Sequence, residues 1–523
     1  MRILILILIL TIIGGILRFI NLENTPLNVD EVSSGYNAYS ILKTGHDEYG
    51  VKLPLTFKSL GDYKPPVYIY LSTIPIALFG LSEFSVRFLS AFIGTLSIPV
   101  FYFLFLRLTG TYKYAVLSSV ILTFSSWHIY FSRLASESQV ATFFVVLGVI
   151  FLINLLKGSW FWSIPAALFL VLSMYTYHSE RLFVPLFVLF FLTANRKEVL
   201  LKRGNFSLFI FFCIVLCLPL IFSLIFGLDR TRAQMTIITN DIDYIRYINI
   251  DPQNSLLLFF YWARKFLAYF QPSFLFFNGL GMTIQGSLGL GIMYLFEIPL
   301  LIFGIITLIR KNLPIKFLIL SWILLGILPA SLTLNEQHPI RTMVILPILV
   351  LISGIGAVTF YEFILSFTNK YWRLFLGGIF SLVVIWNFIM AFIIFYVHFP
   401  NQKWEGLMEG TKESVLYAVS HKDQYQEIIF DPVRGTEGPF LVNAPHAYVL
   451  FYSKFDPQTY QMYGFDKFTI RPINWGQDKD KKNSLFIGSP WSLSPLEVKK
   501  EQILERIYLT NGKVALLIVS TKR

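Results

Sequence analysis

The sequence predicts an α-helical polytopic membrane protein with a small α/β domain at its C-terminal end. Three observations carry that reading. First, 55% of the 523 residues are hydrophobic and only 14% are charged, whereas soluble domains carry about 25% charge. Second, long apolar runs recur from the first residue to about 398, and mean hydropathy over the chain is +0.63. Third, composition turns polar beyond that point. The formal net charge of +12 would also suit nucleic acid, but the Lys and Arg residues fall in short loops between apolar runs, which points to membrane topology and anionic headgroups. The two cysteines, Cys213 and Cys217, stand one helical turn apart inside an apolar run and read as packing residues rather than a disulfide or metal pair.

Taken in order, the chain opens with MRILILILILTIIGGILRFI. No small-x-small cleavage site precedes Arg18, so the segment reads as an uncleaved first helix that starts in the cytoplasm. Further spans are expected at about 84–106, 114–131, 139–156, 160–175, 182–194, 206–227, 290–309, 316–333, 342–362 and 374–397. Two stretches, 67–80 and 255–277, are ambiguous. If 67–80 crosses, Arg107 and Lys113 fall outside and every later loop is inverted. If it lies in the interface, the inner loops hold Arg107/Lys113, Lys157, Arg196/Lys197/Lys202/Arg203, Arg310/Lys311/Lys316 and Lys370/Arg373. The expectation is therefore about eleven spanning helices, with 67–80 a juxtamembrane helix on the outer face. Residues 1–398 form the membrane domain and 399–523 a soluble extracytoplasmic domain, with helix near 411–420 and 444–454 and strands at 427–431 and 513–520.

This topology gathers carboxylates and histidines on one side. The first outer loop, LNVDEVSSGYNAYSILKTGHDEYG…GDYKPP, contains Asp30, Glu31, His46, Asp47, Glu48, Asp62 and Lys64. Later outer loops add Arg133 and Glu137, then His178, Glu180 and Arg181, then His338 and Arg341. A structural protein has no reason to sort these groups to one face, whereas a one-sided active site does.

Each group also has a plainer reading. Asp30 and Glu31 suit a general base and its neighbour, or simply mark the membrane boundary. Lys64 precedes Pro65-Pro66 and suits a phosphate ligand or a snorkelling lysine. Arg133 and Glu137, four apart, are a candidate salt bridge. His178 and His338 read as hydrogen-bonded interface residues, while Arg341 at the head of a helix invites a phosphate. No HExxH or CxxC spacing marks a dedicated metal site, and no glycine-rich phosphate loop is present in the C-terminal domain.

The stretches VDEVSSGYNAYSIL, GDYKPPVYIYL, SEFSVRFLSA, SRLASE and HPIRTMVILP resemble successive motifs of the GT-C membrane glycosyltransferases. Within that class the motifs resemble those of the dolichyl-phosphate-mannose–protein mannosyltransferases and the bacterial aminoarabinose transferases. The resemblance runs through about residues 1–200, is patchier to about 400 and is absent from the C-terminal domain. It implies a GT-C-like fold and a catalytic acid at Asp30, with Glu31 beside it. It places the lipid-phosphate lysine at Lys64, a second outer-loop acid at Glu137 and an arginine at Arg87. Asp62, Arg133, His178, Arg181, His338 and Arg341 complete the candidate set for substrate and lipid phosphate. The MIR-type lumenal domain of the mannosyltransferases is missing.

The implied activity is inverting transfer of a sugar from a polyprenyl phosphate to a lipid, glycan or protein acceptor outside the plasma membrane. The rival is a transporter or flippase of lipid-linked sugars, which would place acids at mid-membrane. Glu297 is the one candidate for such an acid. No nucleic acid partner is implied. The sequence assigns no cofactor with certainty, a divalent metal being the one candidate.

Overall fold

The computed structural model describes residues 1–522 apart from 60, 252–253, 255, 283–288, 312, 314, 335–336, 399–407, 436–437, 440 and 443. Every apolar run named above contains a helix. Among the described residues six helices are long and apolar enough to cross a membrane. They include α1 (Arg2–Phe19), α4 (Glu83–Thr109), α7 (Glu137–Lys157) and Arg203–Phe226. The pair α5 (Tyr112–Phe124) and α6 (Ser126–Ser132), bent by 54°, makes a seventh if counted as one span. The other four expected spans are the helices Ser163–Thr176, Glu180–Ala194, Glu297–Arg310 and Lys316–Ser331, of 14, 15, 14 and 16 residues. At about 1.5 Å per residue these fall short of the roughly 30 Å hydrocarbon core.

The helices pack closely where side chains are small. Glu297–Arg310 lies so near Leu346–Ser366 that a Cβ on Gly304 would sit 2.2 Å from the Ile352 carbonyl oxygen. Conversely, α1, Arg203–Phe226 and Lys370–His398 turn most of their apolar surface outward, as helices facing lipid do.

The polar first loop contains a helix and a hairpin among its described residues. α2 (Val29–Thr44) starts with a reciprocal capping box: the Asn28 side chain accepts from the Glu31 amide, and the Glu31 carboxylate accepts from the Asn28 amide. A short hairpin of β1 (Phe57–Ser59) and β2 (Asp62–Lys64) follows, pairing Phe57 with Lys64 and Ser59 with Asp62. α3 (Pro66–Phe79) then begins on Pro66, whose ring is suited to the first helical turn. The helix expected at 67–80 is thus present.

In the C-terminal region five strands form one sheet in the order β6 (Phe468–Ile470), β3 (Glu427–Phe430), β7 (Ser484–Gly488), β9 (Val514–Ser520), β8 (Ile503–Tyr508). β3 runs parallel to β6 and β7, while β9 is antiparallel to both its neighbours. The small hairpin of β4 (Val433–Arg434) and β5 (Leu441–Val442) stands apart. The expected α/β unit is there, with its predicted helices at Thr411–His421 and Pro445–Tyr452. The boundary expected at 398/399 falls at the edge of 399–407, which lie outside the described residues. The C-terminal residues Val415, Tyr448 and Phe451 share one hydrophobic core with Leu27, Val32 and Tyr36 of the first loop.

Candidate active site

The site is built on the β1–β2 hairpin. Side chains two apart on a strand point the same way, so Asp62 and Lys64 share a face. Lys64 Nζ lies 2.8 Å from Asp30 Oδ1 at the start of α2. Asp62 pairs with Arg232, on the helix Leu228–Thr236, whose guanidinium also donates to the Tyr63 carbonyl at 3.1 Å. The Lys64 side chain is only 10% exposed, whereas that of Asp30 is 59% exposed. A buried cation therefore holds a carboxylate that faces open space.

Neighbouring charges set the protonation states. Lys64, with Arg232 behind it, holds the Asp30 carboxyl below the usual carboxylate range despite partial desolvation. Burial works against the Lys64 charge, but the Asp30 and Glu137 carboxylates more than reverse it, so the ammonium is held above its ordinary range. Glu137 opens α7 and so comes within electrostatic reach of Lys64.

Beside this pair lies a cavity of about 300 Å³, lined by Tyr177, His178, Arg181, Arg232 and Arg341 among others. Its one lining acid, Asp229, is committed. It takes a 2.8 Å ion pair from Arg181 and hydrogen bonds from Thr56 and Ser223 at 2.8 and 2.7 Å. The Nη2 of Arg181 is buried with no hydrogen-bond partner among the described residues. Arg341 donates to the Thr333 hydroxyl at 2.5 Å. Burial and nearby Arg341 bring Arg232 down to about 10, as expected of cations crowded together. His178 is neutral, lowered to about 3 by burial and then by Arg181, and its Nε2–H donates to the Tyr63 carbonyl at 3.0 Å. The arrangement suits an anion with several acceptor oxygens.

The structure thus brings Asp30, Asp62, Lys64, Glu137, His178, Arg181 and Arg341 to one place. It assigns the other candidates elsewhere. Glu31 and Arg87 form a buried bidentate pair, 2.8 and 2.7 Å, and Arg87 also donates to the carbonyls of Leu22, Thr25 and Pro26. With its donors spent inside the protein, Arg87 is not placed to bind a phosphate. Glu31, which also accepts from the Ala135 amide, is not placed to act as a base. Arg133 makes no salt bridge to Glu137. It donates to the Leu17, Ile20 and Asn21 carbonyls at the end of α1, and stacks on Tyr396. His338 does not line the cavity; burial and Arg341 lower it to about 3. His46, Asp47 and Glu48 sit beneath α2, where Glu48 pairs with Asn37.

Sequence reading missed Arg232 and Asp229. Their segment, GLDRTRAQ, follows an apolar run on the predicted outer side, and that position was the available signal. Among the described residues no three His, Cys, Asp or Glu side chains are grouped to hold a metal ion. Asp30, Asp62 and Asp229 each face a cation instead, so the residues do not fit a metal.

Comparison with known proteins places this geometry. Residues 63–222 match the model of the dolichyl-phosphate-mannose-protein mannosyltransferase family. The apo crystal structure of ArnT from Cupriavidus metallidurans superposes with a TM-score of 0.57 at 12% identity, over 98% of this chain and 97% of that one. The fold is that of ArnT. The same protein bound to undecaprenyl phosphate gives 0.55 at 12% identity, with the same coverage of both chains. The oligosaccharyltransferase AglB from Archaeoglobus fulgidus, in complex with an inhibitory peptide and a dolichol-phosphate, gives 0.52 at 12% identity over 98% of this chain and 74% of that one. An uncharacterized protein of Aquifex aeolicus (strain VF5) is 34% identical over 86 residues, which is 16% of this chain and 17% of that one. The GT-C resemblance therefore holds as a fold. The likeness in fold to ArnT extends through the C-terminal domain, where the sequence motifs stop.

Proposed function

We propose that this chain is an inverting glycosyltransferase that moves a sugar from a polyprenyl-phosphate carrier to an acceptor on the outer side of the plasma membrane. The observation that carries the reading is the buried Lys64 paired with an outward-facing Asp30 beside an arginine-lined cavity of about 300 Å³. Asp30 takes the proton of the acceptor hydroxyl as its oxygen attacks the anomeric carbon. The bond from that carbon to the phosphate oxygen breaks, and its electron pair leaves with the phosphate. A single displacement inverts the sugar carbon. Lys64, Arg232, Arg341 and the unpartnered Nη2 of Arg181 offset the charge that develops on the departing phosphate. A phosphate that draws Lys64 to itself also weakens the pair that holds Asp30 low, making Asp30 a better base once donor is bound. In this reading Asp62, His178 and Glu137 position the phosphate-binding groups.

The same reading orients the chain with the first loop and C-terminal domain outside, eleven spans and α3 at the outer interface. The flippase alternative receives less support. Glu297 is buried, but its carboxylate accepts from the Tyr294 amide and the Ser353 hydroxyl, both at 3.0 Å, as a helix-start anchor does.

Lys64→Met is expected to weaken donor binding by at least tenfold, and Lys64→Arg to retain part of it, because guanidinium pairs with phosphate in a different geometry. Titration of detergent-purified protein with a short-chain polyprenyl-phosphate sugar measures both. Unchanged affinity in folded Lys64→Met removes Lys64 from the site.

A further inference from the structure

The Asp30 carboxylate is largely exposed and is held by Lys64 alone among the ion pairs described. Its position therefore depends on where the backbone of α2 starts. That start is held from two sides. From the membrane domain, Arg87 binds the carbonyls of Leu22, Thr25 and Pro26 and the side chain of Glu31. From the C-terminal domain, the buried hydroxyl of Tyr448 donates to the Leu27 carbonyl at 2.8 Å, one residue before the capping Asn28.

The rest of α2 is gripped by the same domain. Tyr36 donates to the Phe455 carbonyl at 3.0 Å, and Gln461 donates to the Ser40 hydroxyl and the Asp47 carbonyl at 3.0 and 2.8 Å. Gly35 lies so tightly between them that a Cβ there would come 2.5 Å from Val86 and 2.8 Å from Phe451. α2 is thus wedged between α4 and the helix Pro445–Tyr452.

We infer that the C-terminal domain is a positioning element for the transfer reaction, and that Tyr448 sets the placement of Asp30 through its hydrogen bond to the Leu27 carbonyl. The inference rests on the proposed role of Asp30 as base. It makes the domain part of the catalytic apparatus, so that the reaction requires the domain in place even if the domain never touches the sugar. Reaction rates respond steeply to displacements of the order of 1 Å.

The test is Tyr448→Phe in the full-length protein, which keeps the ring in the core and removes one hydroxyl. The expected result is a fall in single-turnover rate on the order of ten- to hundredfold, with affinity for a short-chain polyprenyl-phosphate sugar within about twofold of wild type. The acid limb of the pH–rate profile should also move upward, because Asp30 loses part of its hold by Lys64. The other charged groups facing it are Arg232 and Glu137, with the Tyr448 phenol beyond them. Tyr508→Phe, exposed on β8, is the control and leaves the rate unchanged. A folded Tyr448→Phe protein with wild-type rate and profile overturns the inference, as does a loss confined to donor affinity. If Tyr448→Phe fails to fold, Tyr36→Phe carries the same test, because it removes the domain's next hydrogen bond to α2. The outcomes separate the two claims: an active Asp30→Asn protein defeats the assignment of Asp30 as base, whereas an inactive one beside a normal Tyr448→Phe protein defeats only this inference.

Discussion

Asp30→Asn leaves a folded protein whose transfer rate falls by about two orders of magnitude or more, the usual range for losing a general base. The substitution keeps the shape of the side chain and removes its charge. Folding should tolerate it, because the carboxylate is 59% exposed and its partner Lys64 keeps Glu137 within electrostatic reach. Donor affinity should hold or improve, since Lys64 no longer has to leave a carboxylate to meet the phosphate. Membrane vesicles that contain native acceptor, supplied with labelled donor, give the rate, and titration gives the affinity. Near-normal turnover by folded Asp30→Asn would move the base to Glu137.

Arg87→Met has the opposite signature. It leaves the buried Glu31 side chain without its ion-pair partner, and frees the carbonyls of Leu22, Thr25 and Pro26. Breaking one partner of a buried pair costs about 3–5 kcal/mol, so the variant should unfold or express poorly rather than turn over slowly. Glu31→Gln should lose less, because its single amide oxygen still accepts from one of the two backbone amides, Asn28 or Ala135, that the two carboxylate oxygens hold. Thermal melts in detergent decide the matter. A stable Arg87→Met protein that has lost only donor affinity would return Arg87 to the phosphate site.

The contrast between Asp30 and Glu31 marks how far the sequence could be read. Apolar run length located the helices, because in lipid every backbone donor and acceptor must be satisfied within the segment. One-sided sorting of acids and histidines located the face. Adjacency could not say which acid is exposed and which is buried. On a helix successive residues point about 100° apart, and only the fold turns Glu31 toward Arg87 and Asp30 toward Lys64. Arg133 and Glu137 show the same limit: four residues apart in the sequence, they are separated by the end of α6 at Arg133 and the start of α7 at Glu137. Arg232 went unread because one arginine in a loop looks like any other until β2 and the helix Leu228–Thr236 bring it to Asp62. In the C-terminal domain β7 was missed because a strand buried on both faces has no alternation. β8 was missed because its register shifts break the alternation it has.

The most direct test of the central claim is mass spectrometry of the lipids and envelope glycans of host cells lacking the protein, then supplied with wild type or Asp30→Asn. The predicted result is accumulation of one polyprenyl-phosphate sugar and loss of that sugar from an envelope acceptor. Wild type should reverse both changes and Asp30→Asn neither. An unchanged lipid-linked pool, or full rescue by Asp30→Asn, would contradict it.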